Sequence, residues 1–273
     1  MMEPDTNSNT ASVLIGPFAQ LVTMDTLPLK GSLSDGQLTV MEDAGILIEG
    51  GTIVETGPFD RPVKEVHSDK VRTVELPAHS IGLPGFVDAH THSCFAGSRA
   101  QDYALRNSGS SYLEIAQAGG GIWDTVEQTR KADPEFLESL LLERIQGFMQ
   151  SGITTLEVKS GYGLSISEEL KMLRVIRSAA EKTAMDLIPT CLAAHTFPRD
   201  FKGKPADYLE IIVKELLPIL IGERLTTRLD AFVEQSAFSP EEIIPYLRAG
   251  KEMGFDLTLH ADQFSAGGSD VAI

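Results

Sequence analysis

The chain has 273 residues, 42% of them hydrophobic and 23% charged, so its composition is that of an ordinary globular protein and argues against disorder. Its formal charge of −16 at pH 7 disfavours nucleic acids and anionic membrane surfaces as partners. The start of the sequence lacks a signal peptide's pattern, no stretch is apolar enough to span a membrane, and two distant cysteines give no disulfide framework, so we expect a cytoplasmic protein.

Residues 1–79 predict short β-strands separated by turns. Apolar and β-branched residues cluster at 12–15, 20–23, 45–48 and 52–54. Gly50-Gly51 separates the last two clusters and is typical of a β-hairpin. We therefore treat residues 1–79 as a first, β-rich domain.

From residue 80 the pattern changes to buried strands that alternate with helices, which favours a parallel α/β architecture. Asp133 and Ser239 are each followed by proline and predict the starts of helices, the first over 134–150, and a further helix is predicted over 167–182. The predicted strands are 85–89, 154–159, 187–194, 228–234 and 255–261. A complete eight-stranded barrel takes roughly 250 residues. We therefore expect residues 80–273 to be a partial barrel, whose remaining strands lie beyond Ile273.

Histidines stand at the ends of several predicted strands. His90 and His92 are two residues apart, a spacing that places both side chains on one face of an extended strand, and His195 and His260 end two later strands. Carboxyl ends of parallel strands converge on one mouth of a barrel. The pattern predicts a metal site.

A zinc ion held by histidines and a carboxylate keeps an open position for water, whose pKa falls to about 7 and which yields hydroxide at neutral pH. This is hydrolytic chemistry, although it does not specify the bond. Asp262, two residues after His260, is a loop carboxylate, a supporting group or a further ligand.

A series of sequence motifs begins with LPGFVDAHTH at 83–92. It continues with DAHTHSCFAGSR at 88–99, YLEIAQAGGGI at 112–122, EVKSGYGL at 157–164, ELKMLRV at 169–175, AAH at 193–195 and LHADQ at 259–263. The first motif is similar to the signature of the amidohydrolase superfamily. The ordered set, which covers most of the chain from Leu83 onward, resembles the imidazolonepropionase family within it.

The resemblance implies a (β/α)8 TIM-type barrel, of which about five strands are present, with a small β-sandwich domain begun by the N-terminal strands. It also implies hydrolysis of the ring of 4-imidazolone-5-propanoate to N-formimino-L-glutamate in histidine degradation, with one zinc or iron ion. His90, His92 and His260 match the metal ligands of the family. A further aspartate ligand and a sixth-strand histidine would lie beyond Ile273, and a homodimer is expected.

The same resemblance implies roles for other residues. Arg99 would clamp the substrate's propanoate, Tyr112 and Tyr162 would contact the substrate, and His195 would contact its ring and donate to the carbonyl oxygen. Gln263 falls where many relatives have glutamate. As a neutral amide it orients water but cannot accept its proton.

Alternatives to this interpretation stay open. Another amidohydrolase, such as a nucleobase-type aminohydrolase, would share the His90 and His92 pattern but have little use for Arg99. The chain alone is also expected to be an inactive, poorly soluble piece. Ala118-Gly119-Gly120-Gly121 lacks the lysine of a phosphate loop, so we reject nucleotide binding. Lys159 is not expected to be a carbamylated bridge between two metals.

Overall fold

The computed structural model describes residues 12–28, 30–60, 71–111, 114, 120–234 and 237–263. The chain divides into two compact units, Met1–Pro84 and Gly85–Ile273. Among the helices within the described ranges, none is long and apolar enough to cross a membrane.

The first unit contains a five-stranded sheet with the order β3-β2-β1-β4, in which β5 also pairs with β1. β1 and β2 pair antiparallel, as do β2 and β3, whereas β4 and β5 run parallel to β1. The strands are β1 (Val13–Val22), β2 (Val40–Glu49), β3 (Thr52–Pro58), β4 (Arg72–Glu75) and β5 (Ile81–Gly82). The buried hydrophobic residues of this sheet include Leu14, Leu21 and Leu47.

Turn signals in this unit had two different outcomes. The hairpin predicted at Gly50-Gly51 is confirmed, and both glycines adopt positive φ angles of 58° and 81°, which residues with a Cβ rarely adopt. The prediction of separate strands at 12–15 and 20–23 was wrong, because β1 runs through both. Its pairing with β2 shifts register between Ile15 and Phe18, so an irregularity absorbs Gly16-Pro17 without ending the strand.

The second unit is built on a five-stranded sheet with the order β10-β9-β8-β7-β6, in which every neighbouring pair is parallel. The strands are β6 (Phe86–Asp88), β7 (Ile153–Lys159), β8 (Asp186–Ala194), β9 (Arg228–Val233) and β10 (Asp256–Ala261). They confirm the five predicted strands to within two residues. All their carboxyl ends lie at one edge of the sheet.

Helices follow the strands in the order expected of β/α units. Asp133 caps the helix that begins at Pro134 by accepting the Phe136 N–H at 2.7 Å. Ser239 and Glu242 form a capping box at the start of the helix that begins at Pro240. The helices are α1 (Ala100–Asn107), α2 (Ile122–Lys131), α3 (Pro134–Gln150), α4 (Ile166–Ala180), α5 (Pro205–Ile211), α6 (Leu217–Gly222) and α7 (Pro240–Glu252), with a π-helical turn, Ile212–Leu216, between α5 and α6. The local capping signals explain why the helices at 134 and 240 begin where predicted.

The core of this unit lies between the helices and the sheet. α3 contributes Leu137, Leu141 and Ile145, and α4 contributes Leu173 and Ile176, all of which are almost completely buried. Each such side chain stabilises the fold by roughly 1.5–3 kcal/mol relative to exposure. The packed core therefore fixes the strands whose ends carry the candidate site.

Candidate metal centre and its surroundings

His90 and His92 lie in the extended segment that follows β6. Thr91 between them ties this segment to β7: its carbonyl accepts the Lys159 N–H at 3.1 Å, and its hydroxyl donates to the Glu157 carbonyl. Because side chains two apart in an extended segment share a face, both imidazoles point the same way. The pairing with β7 thus continues beyond the last residue of β6 and aims the two rings.

His260 lies in β10, at the opposite edge of the sheet from β6. In a flat sheet, four strand spacings would separate these edges by roughly 19 Å. The Nε2 atom of His260 is nevertheless only 2.7 Å from Nε2 of His90 and 3.3 Å from Nε2 of His92. The sheet is therefore curled so that its edge strands bring their carboxyl ends together.

The three histidines form a donor set suited to one metal ion. One ring nitrogen from each lies within 4.8 Å of the others. Tetrahedral zinc with Zn–N bonds of about 2.0–2.1 Å requires nitrogens roughly 3.3–3.4 Å apart. The His92–His260 separation of 3.3 Å meets this, and the His90–His260 separation of 2.7 Å requires a shift of a few tenths of an ångström. The residues present fit a zinc ion or a similar transition metal.

The ionisation of these rings also suits metal binding. Burial, reinforced by the neighbouring histidines His195, His260 and His90, lowers the pKa of His92 to about 2. Burial and then His260 lower the pKa of His90 in the same direction. Both rings are therefore neutral at pH 7 and have a lone pair available, which is the form that binds metals.

Beneath the histidines, β7 and β9 carry buried charges. Nζ of Lys159 lies 2.7 Å from a carboxylate oxygen of Glu157 and 2.7 Å from one of Asp230, and all three side chains are almost fully buried. The same Asp230 oxygen lies 2.8 Å from Nδ1 of His260. Burial raises the pKa of Asp230, but its contacts with His260 and Lys159 outweigh burial and the net direction is downward.

Two carboxylates against one ammonium leave this cluster with a net negative charge, which favours a cation beside His260. Sequence reasoning considered Lys159 only as a carbamylated bridge and gave Glu157 and Asp230 no role. Nζ of Lys159 instead lies between the two carboxylates, 2.7 Å from each.

His195 and Tyr162 lie beside the rings of the three candidate ligand histidines. The His195 ring stacks on His92 with centroids 5.1 Å apart, and the Tyr162 ring centroid lies 5.9 Å from that of His92 and 5.4 Å from that of His195. Sequence reasoning assigned both to the substrate. The structure brings them together with the candidate ligands.

The hydrogen bonding of His195 indicates which of its ring nitrogens carries a proton. Nδ1 lies 2.9 Å from the Gly161 carbonyl, which can only accept, so Nδ1 carries a proton. Burial lowers the pKa of His195 to about 4, although the bond to Gly161 opposes the shift. At pH 7 the ring is therefore neutral, with a proton on Nδ1 and a lone pair on Nε2.

Glu169, in the first turn of α4, anchors the loop that carries Gly161 and Tyr162. Its buried carboxylate accepts N–H bonds from Gly161 at 3.0 Å and from Gly163 and Leu164, both at 2.8 Å. Gly161 has a φ of 103°, and a Cβ there would lie 2.9 Å from the Leu192 carbonyl oxygen. Sequence reasoning missed this anchor, although a glutamate shortly after a glycine-rich strand end was a usable signal.

The loop residues predicted to bind substrate are placed less favourably. Arg99 donates to the Thr125 hydroxyl and to Asp102, both at 2.8 Å, so part of its guanidinium is already engaged. Burial raises the pKa of Asp102, but hydrogen bonds from Arg99 and Gly121 outweigh burial and hold the pKa below its ordinary value. An incoming carboxylate must therefore share Arg99 with an ionised Asp102.

The remaining predicted positions are less informative. Gln263 and Asp262 follow β10 and are exposed. Tyr112, with Ala118 and Gly119 of the glycine-rich loop, lies outside the described residues. The supposed role of each of these residues stays a prediction.

No protein-family model matches the chain. Curated proteins do match: imidazolonepropionase of Myxococcus xanthus is 41% identical over 254 residues, which are 92% of this chain and 60% of that protein. The imidazolonepropionase of Acinetobacter baumannii (strain ACICU) is 43% identical over 88% of this chain and 59% of its own length. That of Bdellovibrio bacteriovorus is 37% identical over 96% and 62%. The chain thus spans about 60% of the length of the curated relatives it matches.

Solved structures share the fold at low sequence identity. A triazine hydrolase from Arthrobacter aurescens has a TM-score of 0.56 and 18% identity, covering 95% of this chain and 55% of that chain. The Aspergillus niger ochratoxinase also has a TM-score of 0.56, at 14% identity, covering 96% and 58%. An atrazine chlorohydrolase from Arthrobacter aurescens TC1, complexed with zinc, has a TM-score of 0.55, at 18% identity, covering 94% and 55%. These likenesses support the fold alone.

Proposed function

We propose that this chain, which is related in sequence to the imidazolonepropionases, is part of a metal-dependent hydrolase that opens the ring of 4-imidazolone-5-propanoate to give N-formimino-L-glutamate. The observation that carries the proposal is the convergence of His90, His92 and His260 from the two edge strands of one parallel sheet. Imidazole nitrogens at this spacing suit one ion.

The metal would be held by His90, His92 and His260, and it would be zinc or iron. When bound, it supplies a water molecule made acidic enough to act as hydroxide at neutral pH and a Lewis acid for the ring carbonyl. The ring carbonyl carbon would receive the oxygen of water, and the ring C–N bond would then break as the leaving nitrogen takes up a proton from that water. An aspartate ligand and a histidine contributed by the rest of the protein would complete this centre.

The chain's own residues orient the substrate. Tyr162 and Tyr112 would contact the ring or the propanoate through their hydroxyl groups, and Arg99 would hold the propanoate while keeping its contact with Asp102. The neutral His195 would accept a hydrogen bond at Nε2 from a ring N–H, because its Nδ1 proton is committed to Gly161. This arrangement would present the ring carbonyl to the metal centre.

Gln263 would orient the attacking water without taking its proton, since an amide has no basic site at pH 7. The proton must therefore pass to a group other than Gln263. A Gln263→Glu change would supply a carboxylate base at this position.

The larger assembly follows from the same proposal. Residues 80–273 would form part of a (β/α)8 barrel, and residues 1–79 would begin a small β-sandwich domain. We further propose a cytoplasmic enzyme of histidine degradation that acts on a small anionic substrate, works as a homodimer and binds neither nucleic acid nor membranes, in keeping with the charge of −16.

The direct test compares ring opening of 4-imidazolone-5-propanoate with deamination of purines, using the full-length metal-loaded protein. Ring opening that is lost in the His92→Asn variant is the expected result. Turnover of purines alone would replace the proposal by an aminohydrolase. A parallel assay of the 273-residue chain is expected to give no turnover, and full activity there would contradict the predicted need for further residues.

A further inference from the structure

We propose that Asp230 positions His260 for metal binding and that Lys159 and Glu157 hold Asp230 for this purpose. The inference rests on the proposed metal site but not on the identity of the substrate. It is carried by a continuous set of buried contacts that crosses four neighbouring strands, β7 to β10.

The first contact determines which nitrogen of His260 faces the metal. Nδ1 lies 2.8 Å from Oδ2 of Asp230, while Nε2 faces His90 and His92. A carboxylate beside Nδ1 stabilises the tautomer with the proton on that atom, which leaves the lone pair on Nε2. Asp230 therefore presents the metal-binding nitrogen of His260.

The second set of contacts immobilises Asp230 itself. Its side chain is completely buried, Oδ1 accepts the Ala231 N–H at 2.7 Å, and Oδ2 lies 2.7 Å from Nζ of Lys159. With both oxygens held, the carboxylate has one orientation. Rotating it away from His260 would break the contact with Lys159 in a fully buried site, which is costly.

The third set of contacts fixes Lys159. Its ammonium group lies 2.7 Å from Glu157, whose other oxygen accepts the Thr190 hydroxyl at 2.7 Å. Thr190 is the β8 partner of Lys159 in the strand register, and Thr258, two residues before His260, is the β10 partner of Asp230. The strand register therefore sets the spacing of the whole series from Thr190 to His260.

A buried ion-pair cluster could also serve only the stability of the sheet, so the test must separate the two roles. Zn²⁺ affinity is measured by chelator competition on the full-length apo-protein, for the wild type, Asp230→Asn and Thr226→Val. The control removes a buried hydroxyl that donates to the Pro189 carbonyl at 2.6 Å, just before β9 and at the end of that strand opposite to the histidines. Unfolding midpoints are recorded for each protein.

The inference predicts that Asp230→Asn weakens Zn²⁺ binding by about 10–100-fold, the usual effect of removing a partner of a ligand histidine. Thr226→Val is expected to lower the unfolding midpoint but to change the affinity by less than about threefold, well below that range. Equal losses of affinity in both variants, or an unchanged affinity in a folded Asp230→Asn protein, would overturn the inference.

A second measurement needs no folded variant at position 230. Nitrogen-15 NMR of the histidines in the wild-type apo-protein, with the His260 signals assigned through His260→Asn, reports the tautomer of that ring. The proton on Nδ1 is the expected state. A predominant Nε2–H tautomer would refute the positioning role, while failed ring opening with either positive result would count against the substrate assignment only.

Discussion

The strand ends of the second unit and the loops that follow them contribute differently to the candidate site. His92, His195 and His260 are held by strands whose register is fixed, and their rings approach one another within 5.4 Å between centroids for the His92 pairs. Arg99, by contrast, is engaged by Asp102 at the start of a helix, and Gln263 is exposed. The candidate metal ligands are therefore positioned by the sheet, whereas the candidate substrate-binding residues Arg99 and Gln263 lie outside its strands.

The largest expected effect is on the packed sheet that underlies this difference. Leu156→Ala removes a completely buried side chain of β7 and should lower the free energy of unfolding by about 2–5 kcal/mol. Phe136→Ala, at a position that is 52% exposed on α3, is the control and should cost less than about 0.5 kcal/mol. Urea unfolding measures the free energy of unfolding of both variants. Equal losses of that free energy would show that the buried sheet does not stabilise the fold more than the exposed helix surface does.

The next effect concerns the ligands on the strand ends. His92→Ala should weaken Zn²⁺ binding by at least about 100-fold, the upper range for loss of a mere supporting partner. His79→Ala, in the first unit, is the matched control and should leave the affinity unchanged. Chelator competition gives the affinities, and a smaller loss at His92 than at Asp230 would remove His92 from the ligand set.

Glu169→Gln tests the boundary between the two regions, because this buried carboxylate on α4 holds the loop that carries Tyr162. An amide cannot accept hydrogen bonds at both of its polar atoms, so the loss of stability should be about 1–3 kcal/mol. The Michaelis constant should rise because Tyr162 and His195 lose their fixed positions. Unchanged kinetics despite reduced stability would mean that the loop does not serve the substrate.

Arg99→Lys tests the loop region alone. Lysine keeps the charge but loses the planar two-pronged contact, so we expect the Michaelis constant to rise about tenfold with kcat little changed. Arg106→Lys, at the end of the same helix, controls for general effects. A fall in kcat instead would place Arg99 at the reacting ring.

The smallest effect is a pH dependence. Burial, followed by its neighbouring histidines, lowers the pKa of His92 from 6.5 to about 2, so the unfolded chain binds a proton at this ring that the folded chain does not. The contribution of this ring to the free energy of unfolding is therefore fully present above pH 6.5 and is lost as the pH drops below that value. Between pH 7.5 and 5.5 the metal-free protein should lose about 1 kcal/mol through this ring. His92→Asn should flatten that loss, and identical curves would contradict the shift.

Local signals explain which parts of the structure were predictable from the sequence. α3 begins at Pro134 after Asp133 and ends at Gln150 as predicted, because the cap, the proline and the following Ser151-Gly152 all lie in the sequence itself. Gly50-Gly51 is equally local. At Gly16-Pro17 the local signal was misleading, because pairing with β2 overrides it through an irregularity in β1.

The parts that sequence reasoning missed depend on register between strands. The contact of Asp230 with both Lys159 and His260 requires β7, β9 and β10 to lie at one particular offset, which no single segment encodes. The engagement of Arg99 by Asp102 and the tautomer of His195 likewise follow from neighbours in space. The candidate ligand histidines were predictable because they stand at the ends of predicted parallel strands, and the carboxyl ends of such strands meet at a common edge.

His90, His92 and His260 are expected to bind one metal ion. A crystal structure of the zinc-loaded full-length protein, with anomalous data collected at the zinc edge, would locate that ion. We expect one anomalous peak about 2.0–2.2 Å from Nε2 of each of the three histidines. A peak elsewhere, or an ion that leaves His260 outside its coordination sphere, would contradict the proposed metal site.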